Sequence, residues 1–219
     1  MTLQALVFDA YGTLYDVHSV IQRCESLFPG KGAQLSQLWR TKQLEYTWQR
    51  SLMQRYVPFS AVTRDALEYA CQALGIAPAT EALQALMREY LALACFPDVR
   101  AALEKLGAMR QAILSNGSPD MLDPLVAHSG LRFDAVLSVD AVKVYKPSPA
   151  VYQLVVEAFG VQPGEVAFVS SNCWDALGAR HFGFQSYWIN RMGVPVDRLG
   201  VEPAAMLRSL GDLPNEVLR

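Results

Sequence analysis

Four short polar clusters carry most of the chemistry available to this 219-residue chain. Asp9-Ala10-Tyr11-Gly12-Thr13 follows the apolar run Ala5-Leu6-Val7-Phe8. Ser115-Asn116-Gly117-Ser118 follows Gln111-Ala112-Ile113-Leu114, and Ser170-Ser171-Asn172-Cys173-Trp174-Asp175 follows Val166-Ala167-Phe168-Val169. Lys146-Pro147 stands just before a helical stretch opening near Pro149. Together they offer carboxylates, hydroxyls, amides and one amine, a set suited to nucleophilic or acid–base work. Taken singly, Asp, Ser and Asn are more often helix caps or turn formers. Their recurrence at successive strand ends is what a shared site requires.

The runs that precede these clusters are short, continuous and apolar, the mark of strands buried on both faces of a parallel sheet. Two more occur at Ala135-Val136-Leu137-Ser138-Val139 and Ser186-Tyr187-Trp188-Ile189. Helical patterns near Val99 to Leu106, Asp120 to His128, Pro149 to Phe159 and Trp174 to Phe182 alternate with them. Gly107, Gly130, Gly160 and Gly183 are placed as left-handed stops. The alternation predicts βαβ units and an α/β fold with a doubly wound, Rossmann-like parallel sheet. From Asp16 to Leu93 the texture changes to helices alone, near Val17 to Phe28, Leu35 to Tyr56, Ala61 to Leu74 and Glu81 to Leu93. The chain therefore divides into an α/β core of residues 1–15 and 94–219 and an inserted helical cap subdomain of residues 16–93. Open α/β sheets bind ligands beyond the carboxyl ends of their strands, so a cap inserted after the first strand roofs that crevice.

Composition removes several classes. Apolar residues make up 52% and charged ones 18%, too apolar for a disordered chain. Nineteen Lys and Arg against 21 Asp and Glu, with no basic block, give no electrostatic basis for nucleic-acid binding. No basic leader opens the sequence, and no uncharged apolar run approaches the roughly 18 residues that would cross a bilayer. A soluble, cytoplasmic protein is expected. Cys24, Cys71, Cys95 and Cys173 form no C-x-x-C pair and read as incidental thiols in a reducing compartment. His18, His128 and His181 lack metal-ligand spacing. Phe28-Pro29-Gly30-Lys31-Gly32 lacks the first glycine and the preceding strand of a phosphate loop and reads as an interhelix turn. No G-x-S-x-G elbow occurs, and Cys173 has no recognisable His partner.

The motifs resemble those of the haloacid dehalogenase superfamily and, within it, of the L-2-haloacid dehalogenases. The resemblance spans nearly the whole chain and rests on Phe8-Asp9-Ala10-Tyr11-Gly12-Thr13-Leu14, Leu114-Ser115-Asn116-Gly117, Val144-Tyr145-Lys146-Pro147, Phe168 to Asp175 and the cap stretch Leu38 to Tyr46. It implies that Asp9 attacks C2 of an L-2-haloalkanoate, displaces halide and forms an ester that water hydrolyses to a D-2-hydroxy acid. No metal or organic cofactor is implied. Arg40, Asn116 and Trp174 match the halide cradle, Lys146 the cation beside the nucleophile, and Ser115 the substrate-carboxylate anchor. Thr13, Ser170, Asn172 and Asp175 match residues that orient Asp9, Lys146 and the water, and Tyr152 one that supports Lys146. Asp175 and Lys146 both stand as acceptors of the water's proton. Tyr11, Leu44, Phe59 and Trp174 match the apolar lining, and Thr41 departs from the Gln often found after the cap Arg. A homodimer through cap helices between about Leu35 and Leu74 is also implied, with a small 2-haloacid and halide as the other partners.

Most members of the superfamily are phosphatases, and two positions separate this chain from them. Where they carry a second Asp as general acid, it has Tyr11; where they begin the acidic pair that holds Mg²⁺, it has Ser171, leaving Asp175. Mg²⁺ prefers several oxygen ligands, and phosphoryl transfer without it forgoes a large electrostatic contribution. A phosphatase and a non-catalytic binding scaffold are the two alternatives against which the dehalogenase reading is weighed.

Overall fold

In the computed structural model, residues 2–218 are described. Six parallel strands form one sheet: β1 (Ala5–Phe8), β2 (Arg110–Ser115), β3 (Ala135–Ser138), β4 (Val166–Ser170), β5 (Gln185–Ile189) and β6 (Ala205–Leu207), in the order β3-β2-β1-β4-β5-β6. This is the doubly wound order, and its direction reverses between β1 and β4. β1 is central and wholly buried, as a strand covered on both faces must be. Its register with β2 and β4 brings Phe8 beside Ile113 and Val169, so the polar residues that follow emerge together at one sheet edge.

Four helices lie between β1 and β2: α1 (Ile21–Leu27), α2 (Gly32–Leu52), α3 (Phe59–Ala73) and α4 (Thr80–Glu89). Buried positions on α3 fall at Phe59, Val62, Thr63, Ala66, Leu67, Ala70 and Cys71, the spacing of a helix with one face packed. The matching face of α2 includes Leu35, Ser36, Trp39, Gln43 and Thr47, and Trp39 Nε1 donates to the Thr63 carbonyl at 2.8 Å. Chain entering and leaving this helical block is tied together. Asp16 N–H donates to Ala94 O at 2.8 Å, Phe96 N–H to Leu14 O at 3.1 Å, and Tyr15 bridges Cys95. The rest of the chain adds α5 (Val99–Lys105), α6 (Pro119–Ser129), α7 (Pro149–Phe159), α8 (Cys173–Phe182) and α9 (Pro214–Val217).

Several predicted boundaries move. Val17 to Val20 is turn rather than helix, because Asp16 takes the His18 N–H on its carboxylate and the Ser19 hydroxyl on its carbonyl, an alternative to helical bonding. α2 stops at Leu52 rather than Tyr56, with Gln54 at φ 54°, and α4 stops at Glu89 rather than Leu93. Gly130, Gly160 and Gly183 are left-handed caps, but Gly107 is not, since α5 ends earlier at Lys105. β3 ends at Ser138, and Val139 belongs to a 3-10 turn that the Ser138 hydroxyl caps. β6 was not predicted; a three-residue strand is too short to show a period. The Pro29-Gly30 segment is an interhelix turn, its Gly30 and Gly32 N–H groups held by Glu25 at 2.6 and 2.9 Å. Among the described residues no helix is long and apolar enough to cross a membrane.

Candidate active site

Asp9 leaves β1 at the reversal of strand order, 5% exposed, and its side-chain partners come from the turn after β1, from the end of β4 and the start of α8, and from the loop before α7. Oδ2 accepts from Asn172 Nδ2 at 2.8 Å, from the Thr13 hydroxyl at 3.0 Å and from the Ser170 hydroxyl at 3.5 Å. Oδ1 accepts from Lys146 Nζ at 3.1 Å. The Thr13 oxygen in turn accepts the Ser171 N–H, and the Ser170 oxygen the Asn172 N–H, so both hydroxyls are fixed in direction. Asn172 occupies the N-cap position of α8 without capping it: its amide is spent on Asp9 and on the Tyr11 carbonyl at 3.3 Å.

Lys146 is 1% exposed and bridges two carboxylates, with Asp175 Oδ2 at 2.9 Å on its other side. Burial pushes the ammonium down, and Asp175 and Asp9 more than offset this, so it stays above its ordinary range. Asp175, fully buried in the first turn of α8, is pushed up by burial to about 6 despite the pull of Lys146. The Tyr152 hydroxyl donates to Asp175 Oδ1 at 2.8 Å, so its link to Lys146 runs through that carboxylate. That contact depends on Gly178, where an added Cβ would lie 2.7 Å from the Tyr152 hydroxyl oxygen and 2.6 Å from Pro147 Cβ.

A small, narrow cavity lies against Asp9, lined also by Tyr11, Arg40, Leu44, Phe59, Asn116, Asn172 and Trp174. Arg40 comes from α2; its Nη1 donates to Gln43 Oε1 at 2.7 Å and its Nη2 to the Tyr11 carbonyl at 3.3 Å. Asn116 Oδ1 accepts the Lys146 N–H at 3.0 Å. Trp174 meets Trp48 edge to face at 5.3 Å, and Tyr11 packs on Phe59 at 5.5 Å. Gly117 permits the Tyr11 ring to approach, since a Cβ there would stand 2.8 Å from it. The Tyr11 hydroxyl is buried without a partner and burial holds it well above the usual phenol range, so it is no proton donor to a leaving group.

Every residue predicted for the apolar lining and the halide cradle borders this cavity; Thr13, Lys146, Ser170, Tyr152 and Asp175 lie beneath it. Ser115 is the outlier. Its side chain is fully buried, its oxygen accepts the Gly117 N–H at 3.0 Å, and it is not among the lining residues. Thr41 is exposed and its hydroxyl returns to the Gln37 carbonyl, so its departure from the common Gln leaves the lining unchanged. Sequence reasoning missed Gln43 and Arg191. The signal for Gln43 was present, three residues past Arg40 on the buried face of α2. Arg191, which pairs with Asp98 at 2.6 Å and donates to the Thr13 carbonyl at 3.3 Å, lies in irregular chain after β5 and had none. Among the described residues no three His, Cys, Asp or Glu side chains gather as metal ligands.

The haloacid dehalogenase-like hydrolase pattern matches residues 3–183. The chain is 49% identical over 220 residues to (S)-2-haloacid dehalogenase H-109 of Pseudomonas putida, covering 99% of this chain and 98% of that one. It is 48% identical over 205 residues to haloacetate dehalogenase H-2 of a Moraxella species, covering 92% of each. The structure of the Xanthobacter autotrophicus L-2-haloacid dehalogenase with chloropropionic acid covalently bound superposes with a TM-score of 0.94 at 42% identity, over 99% of both chains. By its sequence, its sheet order and its site, the chain belongs to the haloacid dehalogenase-like hydrolases and, among them, to the L-2-haloacid dehalogenase family.

Proposed function

We propose that the protein hydrolyses L-2-haloalkanoic acids to D-2-hydroxyalkanoic acids and halide through an ester on Asp9. The observation that carries this is one small cavity bordered by a carboxylate, a guanidinium and otherwise largely apolar and aromatic walls. Among the described residues, three donors occupy Oδ2 of Asp9 and only Lys146 meets Oδ1, which favours Oδ1 as the attacking atom. It forms a bond to C2 from the face opposite the halogen, the carbon–halogen bond breaks, and configuration inverts. Negative charge appears on the halogen only as that bond breaks, which is where the Arg40 cation and the Asn116 and Trp174 edges stabilise it.

Water then attacks the Asp9 carbonyl carbon, leaving its oxygen on Asp9 while the ester oxygen departs with the hydroxy acid. Asp175 takes the water's proton and returns it to the departing alkoxide; Lys146 still faces the Asp175 carboxylate once Asp9 is esterified, which favours its ammonium form over the free amine a base would need. Esterification removes the Asp9 charge, one of the influences that raises Asp175, and so favours the ionised base when it is needed. Lys146 relieves the repulsion between the Asp9 carboxylate and the substrate's own, and backbone N–H groups near Tyr11 take the substrate carboxylate, with Ser115 fixing the turn at Gly117 from behind the lining. The helical block of residues 16–93 acts as the cap that keeps the cavity dry.

A phosphatase reading finds little to use: Tyr11 stands where the general acid is required, and the cation between Asp9 and Asp175 is the lysine itself. Leu52, Met53 and Tyr69, exposed on α2, just beyond it and on α3, support a homodimer through these helices. The four cysteines are all free, which suits a reducing, cytoplasmic setting.

The test is chloride release from L-2-chloropropionate with and without EDTA, with chiral analysis of the product. D-lactate in both conditions is expected. L-lactate, loss of activity under chelation, or turnover of phosphate esters instead would each overturn the reading.

A further inference from the structure

We propose that Gln43 is a positioning residue that aims the Arg40 guanidinium into the cavity without neutralising it. The inference rests on the dehalogenase reading, in which Arg40 receives the departing halide. Gln43 is fully buried on α2, one turn beyond Arg40. A primary amide so placed is costly unless both ends are paired, and both are. Its oxygen accepts from Arg40 Nη1 at 2.7 Å, and its nitrogen donates to Thr63 Oγ1 at 2.8 Å.

The direction of this chain follows from what each group can do. Arginine only donates, so the amide must turn its oxygen toward it and its NH₂ toward the hydroxyl. Thr63 completes the run by pointing its proton at Met121 Sδ, 3.8 Å away. With Nη2 held by the Tyr11 carbonyl, both terminal nitrogens of Arg40 have protein acceptors and its plane is set before substrate arrives. Halide is a sphere and imposes no orientation, so the aim has to come from the protein. A glutamate at position 43 would hold the same nitrogen but cancel the charge that attracts the halide. A neutral amide performs the first task and avoids the second effect.

The experiment compares Gln43→Met and Gln43→Glu with the wild type, measuring kcat and KM on L-2-chloro- and L-2-bromopropionate, product inhibition by bromide, and Tm. Gln43→Met should lower kcat about 10²-fold, more for the chloride than for the bromide, with KM changed by less than about threefold. Gln43→Glu keeps both hydrogen bonds, because Thr63 can donate to a carboxylate. It should melt near the wild type yet raise the bromide inhibition constant at least about tenfold. Wild-type kcat and bromide inhibition in Gln43→Glu would overturn the proposal, as would a Gln43→Met loss equal for both halogens. If Gln43→Met does not fold, Gln43→Glu alone decides. Absence of halide release from the wild type would overturn the dehalogenase reading itself, and this proposal with it.

Discussion

The two walls of the cavity are built on opposite plans. On the sheet side, Asp9, Thr13, Lys146, Ser170, Asn172, Asp175 and Tyr152 form an unbroken chain of hydrogen bonds between 2.8 and 3.5 Å. On the helix side, Leu44 and Phe59 are apolar, and a single cation, Arg40, reaches in. Polar atoms without partners sit near the boundary, on Tyr11 and on Trp48. The difference matches the two demands of the proposed reaction. Bond making needs ionised groups fixed beforehand, and buried charges persist only when paired. Bond breaking needs one cation for a charge not yet present and a surface that excludes water.

If that division is right, damage to the sheet side should cost more than damage to the helix side. Asp9→Ala should lower kcat by at least about 10⁴-fold, and a single-turnover reaction in ¹⁸O-water should leave label in the wild-type Asp9. Unlabelled aspartate would break the ester route. Lys146→Met strands two buried carboxylates; kcat should fall about 10³-fold and urea unfolding should show about 3–5 kcal/mol of lost stability. Arg40→Lys keeps the charge but loses the fork that reaches both Gln43 and Tyr11, so kcat should fall about 10²-fold with Tm little changed. A loss as large as that of Asp9→Ala would erase the contrast between the walls.

The smallest effect sharpens the sheet side alone. Asp175 must be ionised to act as base, so kcat should decline on the acid side, with a limb below the value of about 6 that holds while Asp9 is charged, because esterification removes one influence that raises Asp175. The Tyr152 hydroxyl donates to the charged carboxylate and thereby lowers its pKa. Tyr152→Phe should therefore move the acid limb to higher pH while leaving the alkaline plateau within a few-fold of wild type. A limb that stays in place would assign it to another group.

What sequence could show differed between the same two walls. Asp9, Ser170 and Asp175 follow short apolar strands with fixed offsets, so their convergence was legible from strand ends alone. Arg40 was not: a charge on a long helix looks like any solvated residue until the helix is known to fold over β1. Gln43 and Thr47 sit on the buried stripe of α2, where polar residues blur the apolar period. The contact of the Tyr152 hydroxyl with Asp175 was not legible, because it depends on the close packing at Gly178. Arg191 and β6 depend on long-range pairing that no local pattern encodes.

The hydrogen bonds that join Leu14 and Asp16 to Ala94 and Phe96 give the two tethers of the helical block a common anchor. A body held on two tethers fastened side by side has one easy axis of rotation and resists sliding. Arg40, Leu44 and Phe59 all belong to that block and share its anchor. On the dehalogenase reading, stiffening that seam should slow the arrival of an organic anion and the escape of an inorganic one alike.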